Sequence, residues 1–180
     1  MWIKQIELNN YRPFYGKQTI PFSVRTKSGF AVIEADADTG KTTLKNAIKW
    51  ALYGEESALQ DSKKKTEDYM LFNRVRMDEL NEGDHDFIEI AILIYDTETD
   101  KPQFEIKRSA EFRKVGHSME KVGDPALTII EWDKRGEPTS SDKQFYVNAR
   151  INAILPKQVH EFFIFESEQL SKYFSIEKKD

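Results

Sequence analysis

The tetrapeptide Gly40-Lys41-Thr42-Thr43 constrains this chain more than any other feature, because of what stands on either side of it. Before it, Phe30-Ala31-Val32-Ile33 reads as a short buried strand and residues 34–39 as a small, polar loop. After it, Leu44, Ala47, Ile48, Ala51 and Leu52 recur at i, i+3, i+4, i+7 and i+8, the apolar stripe of a helix packed on a sheet. Gly54 stands where a helix-ending glycine belongs. Strand, loop and helix, with Gly-Lys-Thr at the last junction, is the context of the G-x-x-x-x-G-K-[ST] phosphate loop. In that motif backbone N–H groups and a helix N-terminus surround phosphate oxygens, a lysine reaches the outer phosphates and a hydroxyl ligates Mg²⁺. On this reading Asp36, Ala37, Asp38, Thr39, Gly40, Lys41, Thr42 and Thr43 form the nucleotide site, and Thr42 is a magnesium ligand. The alternative is a surface Lys-Thr pair at an ordinary helix start.

Two residues depart from the motif. Its first glycine is replaced by Ala35, which strains any backbone position that needs positive φ, and Asp36 and Asp38 put carboxylates where anionic phosphates must sit.

The rest of the chain is read around this unit. Residues 2–8 and 14–22 are β-prone and separated by an Asn9-Asn10 turn signal, so a hairpin is expected. Residues 55–85 are charge-rich, with a short helix expected near 66–80. Residues 87–95 are apolar on both faces, as an interior strand would be; residues 103–112 alternate as a half-solvated strand; residues 127–132 make a third, between Pro125 and Gly136. Ser141-x-x-Gln144 has the form of a capping box, and Val147, Ile151, Ile154 and Leu155 continue at helical spacing to Pro156. Phe162-Phe163-Ile164-Phe165 reads as a last short strand, and the residues from Ser167 as the start of a helix. The expected fold class is α/β in the wider sense, an α+β domain with a mixed sheet and additional antiparallel strands after the first crossover helix.

Composition removes several function classes. A chain of 180 residues with a formal charge of −4 and 39% hydrophobic residues is neither a disordered polyelectrolyte nor a membrane span. It has no cysteine, so disulfides, thiolate zinc sites and cysteine nucleophiles are excluded, and a reducing cytoplasm is the expected location. His85, His117 and His160 lack ligand spacing. A mildly acidic balance argues against binding nucleic acid over the whole surface, though not against a local basic patch.

With the loop placed, three stretches resemble one family. Ile6-x-Leu8-x-Asn10-Tyr11-Arg12-Pro13-Phe14 resembles the first strand and turn of SMC-like ATPases of the double-strand-break-repair type. The run from Gly40 through Leu44, Ala47, Ile48, Trp50, Ala51, Leu52 and Tyr53 to Gly54 is closer to DNA sulfur modification proteins of the DndD type and related prokaryotic defence ATPases. Ile154-Leu155-Pro156 followed by residues 162–168 is similar to the Phe-Phe-x-x-Asp-Gly-Glu segment of that group, with Ser167 in place of its glycine. Residues 55–140 match only in strand order.

The resemblance implies a P-loop NTPase whose SMC/ABC-type head is split by a long coiled coil. Residues 1–180 would be the N-terminal lobe, and the coiled coil would begin near 168–180. Such a lobe binds ATP and Mg²⁺. It works with the C-terminal lobe of the same protein and with a second head in a dimer, acts on DNA, and cooperates with other proteins of a modification or defence operon, away from any membrane. In the family the signature motif and Walker B carboxylates lie in the C-terminal lobe, and no apolar strand here ends in an Asp-Glu pair, so no catalytic residue is assigned. Arg12 matches an arginine lying close to the nucleotide, with a solvent arginine in a turn as the alternative. Glu166 takes the place of the Q-loop residue and is a candidate Mg²⁺ ligand, with Gln169 as the other polar candidate. Lys63, Lys64 and Lys65 are candidate DNA-phosphate contacts, or a solvated charge run, and Arg74 and Arg76 share that ambiguity. A catalytically degenerate scaffold lobe is the alternative; a small nucleotide kinase fits poorly, because the chain lacks the arginine-rich lid expected after the loop helix.

If the acidic loop limits affinity, combining Ala35→Gly with Asp36→Asn and Asp38→Asn should tighten Mg-ATP binding several-fold by calorimetry. An unchanged or weaker affinity would show that these residues are not limiting.

Overall fold

The computed structural model describes residues 1–22, 33, 40–54 and 71–157. Strands β1 (Trp2–Tyr11) and β2 (Phe14–Pro21) form the expected hairpin, followed by helix α1 (Lys41–Tyr53) and a short helix α2 (Arg74–Glu79). Then come β3 (His85–Tyr95), β4 (Pro102–Val115), β5 (Ser118–Trp132), β6 (Pro138–Ser141) and helix α3 (Gln144–Ile154). The strands make one six-stranded sheet in the order β2-β1-β3-β4-β5-β6. Every pairing among the described residues is antiparallel. The described sheet is therefore not mixed; of the two further strands read from sequence, 162–165 lies outside the described residues, as does 30–33 except for exposed Ile33.

Period-two alternation sorts the sheet into a core face and an open face. Ile6 and Leu8 of β1, Ile88, Ile90 and Ile92 of β3, Ile106 of β4, and Leu127 and Ile129 of β5 are all buried on the core face. Their strand neighbours Glu7, Glu89, Glu105 and Lys107 are only partly covered on the other. The apolar stripe of α1 lies on the core face: Leu44, Ala47, Trp50 and Ala51 are buried with those strands. Trp50 alone removes roughly 150–250 Å² from water, about 4–6 kcal/mol as an upper estimate. Val147 and Ile151 of α3 extend the same core, and the Tyr53 hydroxyl donates to the Leu155 carbonyl at 2.8 Å, joining the ends of α1 and α3.

The C-terminus of α1 is closed in two ways. Gly54 takes the left-handed conformation (φ 71°), and its N–H donates to the Trp50 carbonyl at 2.8 Å. Arg108, 8% exposed on β4, donates from Nε to the Ala51 carbonyl at 3.1 Å and from Nη2 to that of Leu52 at 3.3 Å. A cation at a helix C-terminus also meets the negative end of the helix dipole. Burial lowers the guanidinium pKa from its usual high value.

Four expectations need correction. The Asn9-Asn10 pair does not end the first strand: Asn10 is left-handed (φ 49°), yet β1 runs on to Tyr11 and the turn falls at Arg12-Pro13. A buried asparagine side chain that accepts from the Gly16 N–H at 3.0 Å stabilises this conformation inside the strand. The helix expected near 66–80 is, among the described residues, only Arg74–Glu79. Pro125 does not bound a strand, because β5 starts at Ser118; Gly123, Asp124 and Pro125 stand opposite the single residue Ala110 in a bulge, where proline's missing N–H breaks no ladder bond. The capping box does not form, since Ser141 closes β6, which was not foreseen, and the N-cap of α3 is Lys143, without a side-chain cap.

Arg108→Leu should destabilise the fold by about 2 kcal/mol, because two buried carbonyls lose charge-assisted donors. Urea unfolding should show a lower midpoint with an unchanged m-value.

Candidate nucleotide site

Gly40 precedes α1 in the left-handed region (φ 102°, ψ 14°), which a side chain resists, and its carbonyl accepts the first helical bond, from the Leu44 N–H at 2.8 Å. Glycine offers no capping side chain, and no first-turn residue of α1 is acidic. This helix start therefore suits an anion: first-turn N–H groups have no intrahelical acceptor, and the dipole is positive there. Lys41 and Thr42 are exposed and Thr43 half-buried in that turn. These four residues fit a triphosphate chemically: Gly40 permits close backbone approach, Lys41 supplies the charge and Thr42 a hard oxygen for magnesium.

The tip of the β1–β2 hairpin packs against the same glycine. A Cβ on Gly40 would sit 3.5 Å from the Phe14 ring and 3.8 Å from the Pro13 ring. Arg12 is the residue before Pro13 in this turn. It is not a solvent arginine: it is half-buried, and its guanidinium lies over the Tyr11 ring at 5.5 Å. Tyr11 in turn stacks on Trp50 of α1, 6.1 Å between ring centroids.

The Arg12 turn is held from outside the hairpin. Its backbone is left-handed (φ 52°); its N–H donates to the Leu71 carbonyl at 2.8 Å, and its carbonyl accepts from Asn73 Nδ2 at 2.6 Å. Neither residue was selected from sequence. An asparagine ahead of a helical segment signals an N-cap, but nothing local signals that its amide reaches Arg12.

A second tie joins the hairpin to α2. The Tyr15 hydroxyl donates to both carboxylate oxygens of Glu79, at 2.9 and 3.0 Å, and Arg76 bridges Glu79 (3.0 Å) and Asp86 (2.6 Å). Arg76, a candidate DNA contact, is thus engaged in this latch. Arg74 is exposed at the start of α2.

The other predicted site residues lie outside the described residues: Asp36, Ala37, Asp38 and Thr39 of the loop, Lys63, Lys64 and Lys65, and Glu166. Among the described residues no group of three or more His, Asp or Glu is placed to hold a metal, and His85 pairs instead with Glu111 at 2.6 Å. A largely apolar cleft of about 630 Å³ opens beside Lys41 and runs between α1 and the sheet, lined by Trp2, Ile3, Leu44, Ile48, Ile94 and Leu155 among others. No helix among the described residues is long and apolar enough to cross a membrane.

A sheet with a glycine-lysine-threonine helix start on one face defines an α+β nucleotide-binding domain. A family profile described as an AAA domain matches residues 5–180, nearly the whole chain. The chain belongs to that family, and the match supports an SMC-like ATPase lobe. No curated protein matches the chain.

The latch gives a pH dependence. Hydrogen bonds from Arg76 and Tyr15 hold the Glu79 carboxyl below its usual value of 4.5, so its contribution to stability is full above that value and is lost as pH falls through the lowered one. Glu79→Gln should melt below wild type at neutral pH, by a margin that closes as pH falls below 4.5. A margin independent of pH would exclude the charged latch.

Proposed function

We propose that this chain is the ATP-binding N-terminal lobe of an SMC-like ATPase that acts on DNA, in DNA sulfur modification or a related anti-phage defence system. The observation that carries the reading is the juxtaposition at Gly40: a left-handed glycine opening the Lys41-Thr42 helix, with the Arg12 turn packed against it. Gly40, Lys41, Thr42 and Thr43 bind the phosphates, Thr42 and Glu166 hold Mg²⁺, and Arg12 adds positive charge beside the phosphates. Asp36, Ala37, Asp38 and Thr39 complete the loop. DndD-type proteins are the finer assignment because the run from Gly40 to Gly54 resembles theirs.

Hydrolysis on this reading needs partners. A C-terminal lobe supplies the Walker B carboxylates, and a second head completes each site with its signature motif. Two nucleotides are then held between two heads, and catalysis is chiefly positioning and electrostatic stabilisation of the transferring phosphoryl group. DNA engages through phosphate contacts that include Lys63, Lys64 and Lys65.

The 180-residue chain should bind Mg-ATP without turning it over. Lys41→Ala should weaken binding at least about tenfold, the order expected when a charge-assisted phosphate contact is lost. Equal affinities for wild type and Lys41→Ala would overturn the nucleotide assignment and leave the scaffold reading. Phosphate release that Lys41→Ala abolishes would instead overturn the need for a second lobe.

A further inference from the structure

We propose that Asn73 is a positioning residue for Arg12, acting by holding the arginine turn against the phosphate-loop glycine. The inference rests on the reading above, that Arg12 serves the nucleotide.

Asn73 is 3% exposed, and its four polar groups divide into two pairs. Oδ1 accepts from the Arg76 N–H at 2.9 Å and the main-chain carbonyl accepts from the Met77 N–H at 2.9 Å. These are the ordinary bonds of an N-cap, which aspartate or serine would make equally well. The other pair points away from the helix: the main-chain N–H donates to the Asn10 carbonyl at 2.8 Å, and Nδ2 donates to the Arg12 carbonyl at 2.6 Å. Capping does not require an NH₂ group. Contact with Arg12 does, because an aspartate there would set a carboxylate oxygen against a carbonyl oxygen with no proton between them.

What the amide holds is a conformation that arginine resists. Left-handed backbone is unfavourable for a side chain of this size and persists where surrounding bonds over-determine it. At Arg12 those bonds come from Leu71 on the N–H side and Asn73 on the carbonyl side. The isolated bridge between Tyr11 and Phe72 keeps the two segments aligned between them. Pro13 and Phe14 follow immediately, their rings 3.8 and 3.5 Å from where a Gly40 Cβ would stand, so a turn released at the Arg12 carbonyl shifts both the arginine and the rings beside Gly40.

The test uses the 180-residue chain and titration with a fluorescent ATP analogue and Mg²⁺, with thermal melts alongside. Asn73→Asp and Asn73→Ser keep the cap and remove the donor, the second without adding charge. Each should weaken binding about three- to tenfold, the effect of one buried hydrogen bond; Asn73→Ser should melt only slightly below wild type and Asn73→Asp lower, because its carboxylate faces the Arg12 carbonyl. Arg12→Ala should weaken binding about tenfold, and adding Asn73→Ser to it should cost nothing more, because both changes act through the same side chain. Asn73 variants that bind like wild type while Arg12→Ala is weakened would overturn the proposal. So would additive losses in the double variant, which is what a merely structural role predicts. Loss of binding in Lys41→Ala with none in Arg12→Ala would overturn the role of Arg12, and the proposal with it, while leaving the phosphate loop standing.

Discussion

A buried arginine holds the helix that opens with Gly40, Lys41 and Thr42, the candidate phosphate site. Arg108 reaches from the middle of the sheet to the last carbonyls of α1, 57 and 56 residues away in sequence. Among the described residues no carboxylate pairs with it, so its charge is met by helix carbonyls and the dipole they end. An arrangement of this kind is costly to desolvate and specific in direction, since a guanidinium fork can satisfy these carbonyls only if helix and strand keep one register. With Trp50 and Ala51 packed beneath the same turn, α1 has one seat on the sheet. The position of Lys41 at the far end follows from that seat.

The N-terminal end of α1 is constrained by different means. Among the described residues no side chain caps Gly40; the Pro13 and Phe14 rings of the hairpin tip lie beside it. That leaves the first turn open to solvent at Lys41 and Thr42 while fixing what lies behind it. The hairpin is in turn tied to residues 71–73 by main-chain bonds and to α2 by the Tyr15, Glu79 and Arg76 latch. Helix α1 is thus clamped between a sheet strand at one end and a hairpin at the other. Asn73 belongs to the second clamp.

Much of this was legible residue by residue. The α1 stripe, the Gly54 cap, the hairpin and the central strand all follow from periodicity and turn chemistry acting over a few positions. The errors share one cause. Asn10, Pro125 and Ser141 each carry a strong local signal that tertiary pairing overrode: Asn10 satisfies its side chain within a strand, Pro125 sits in a bulge, and Ser141 pairs with Ile129. Strand β6 was missed because Pro138-Thr139-Ser140-Ser141 is polar and exposed, a strand by pairing with β5 and not by burial. The candidate site was half legible, since the Gly-Lys-Thr chemistry is contiguous while the contacts of Arg12 are not.

By itself the sequence determined the main helix, the hairpin and the central strands, and it marked a candidate phosphate site: a glycine, a lysine and a hydroxyl at the head of an amphipathic helix need no distant information. Only the tertiary structure decided which residues surround that helix start. Asn73 bonds to Arg12 across 61 positions, and the Pro13 and Phe14 rings come to rest on Gly40. Each of these contacts sets a side chain against a backbone group, the Arg12 carbonyl or the Gly40 main chain, and a backbone group that every residue carries leaves no mark in an amino-acid sequence until the fold brings a partner to it.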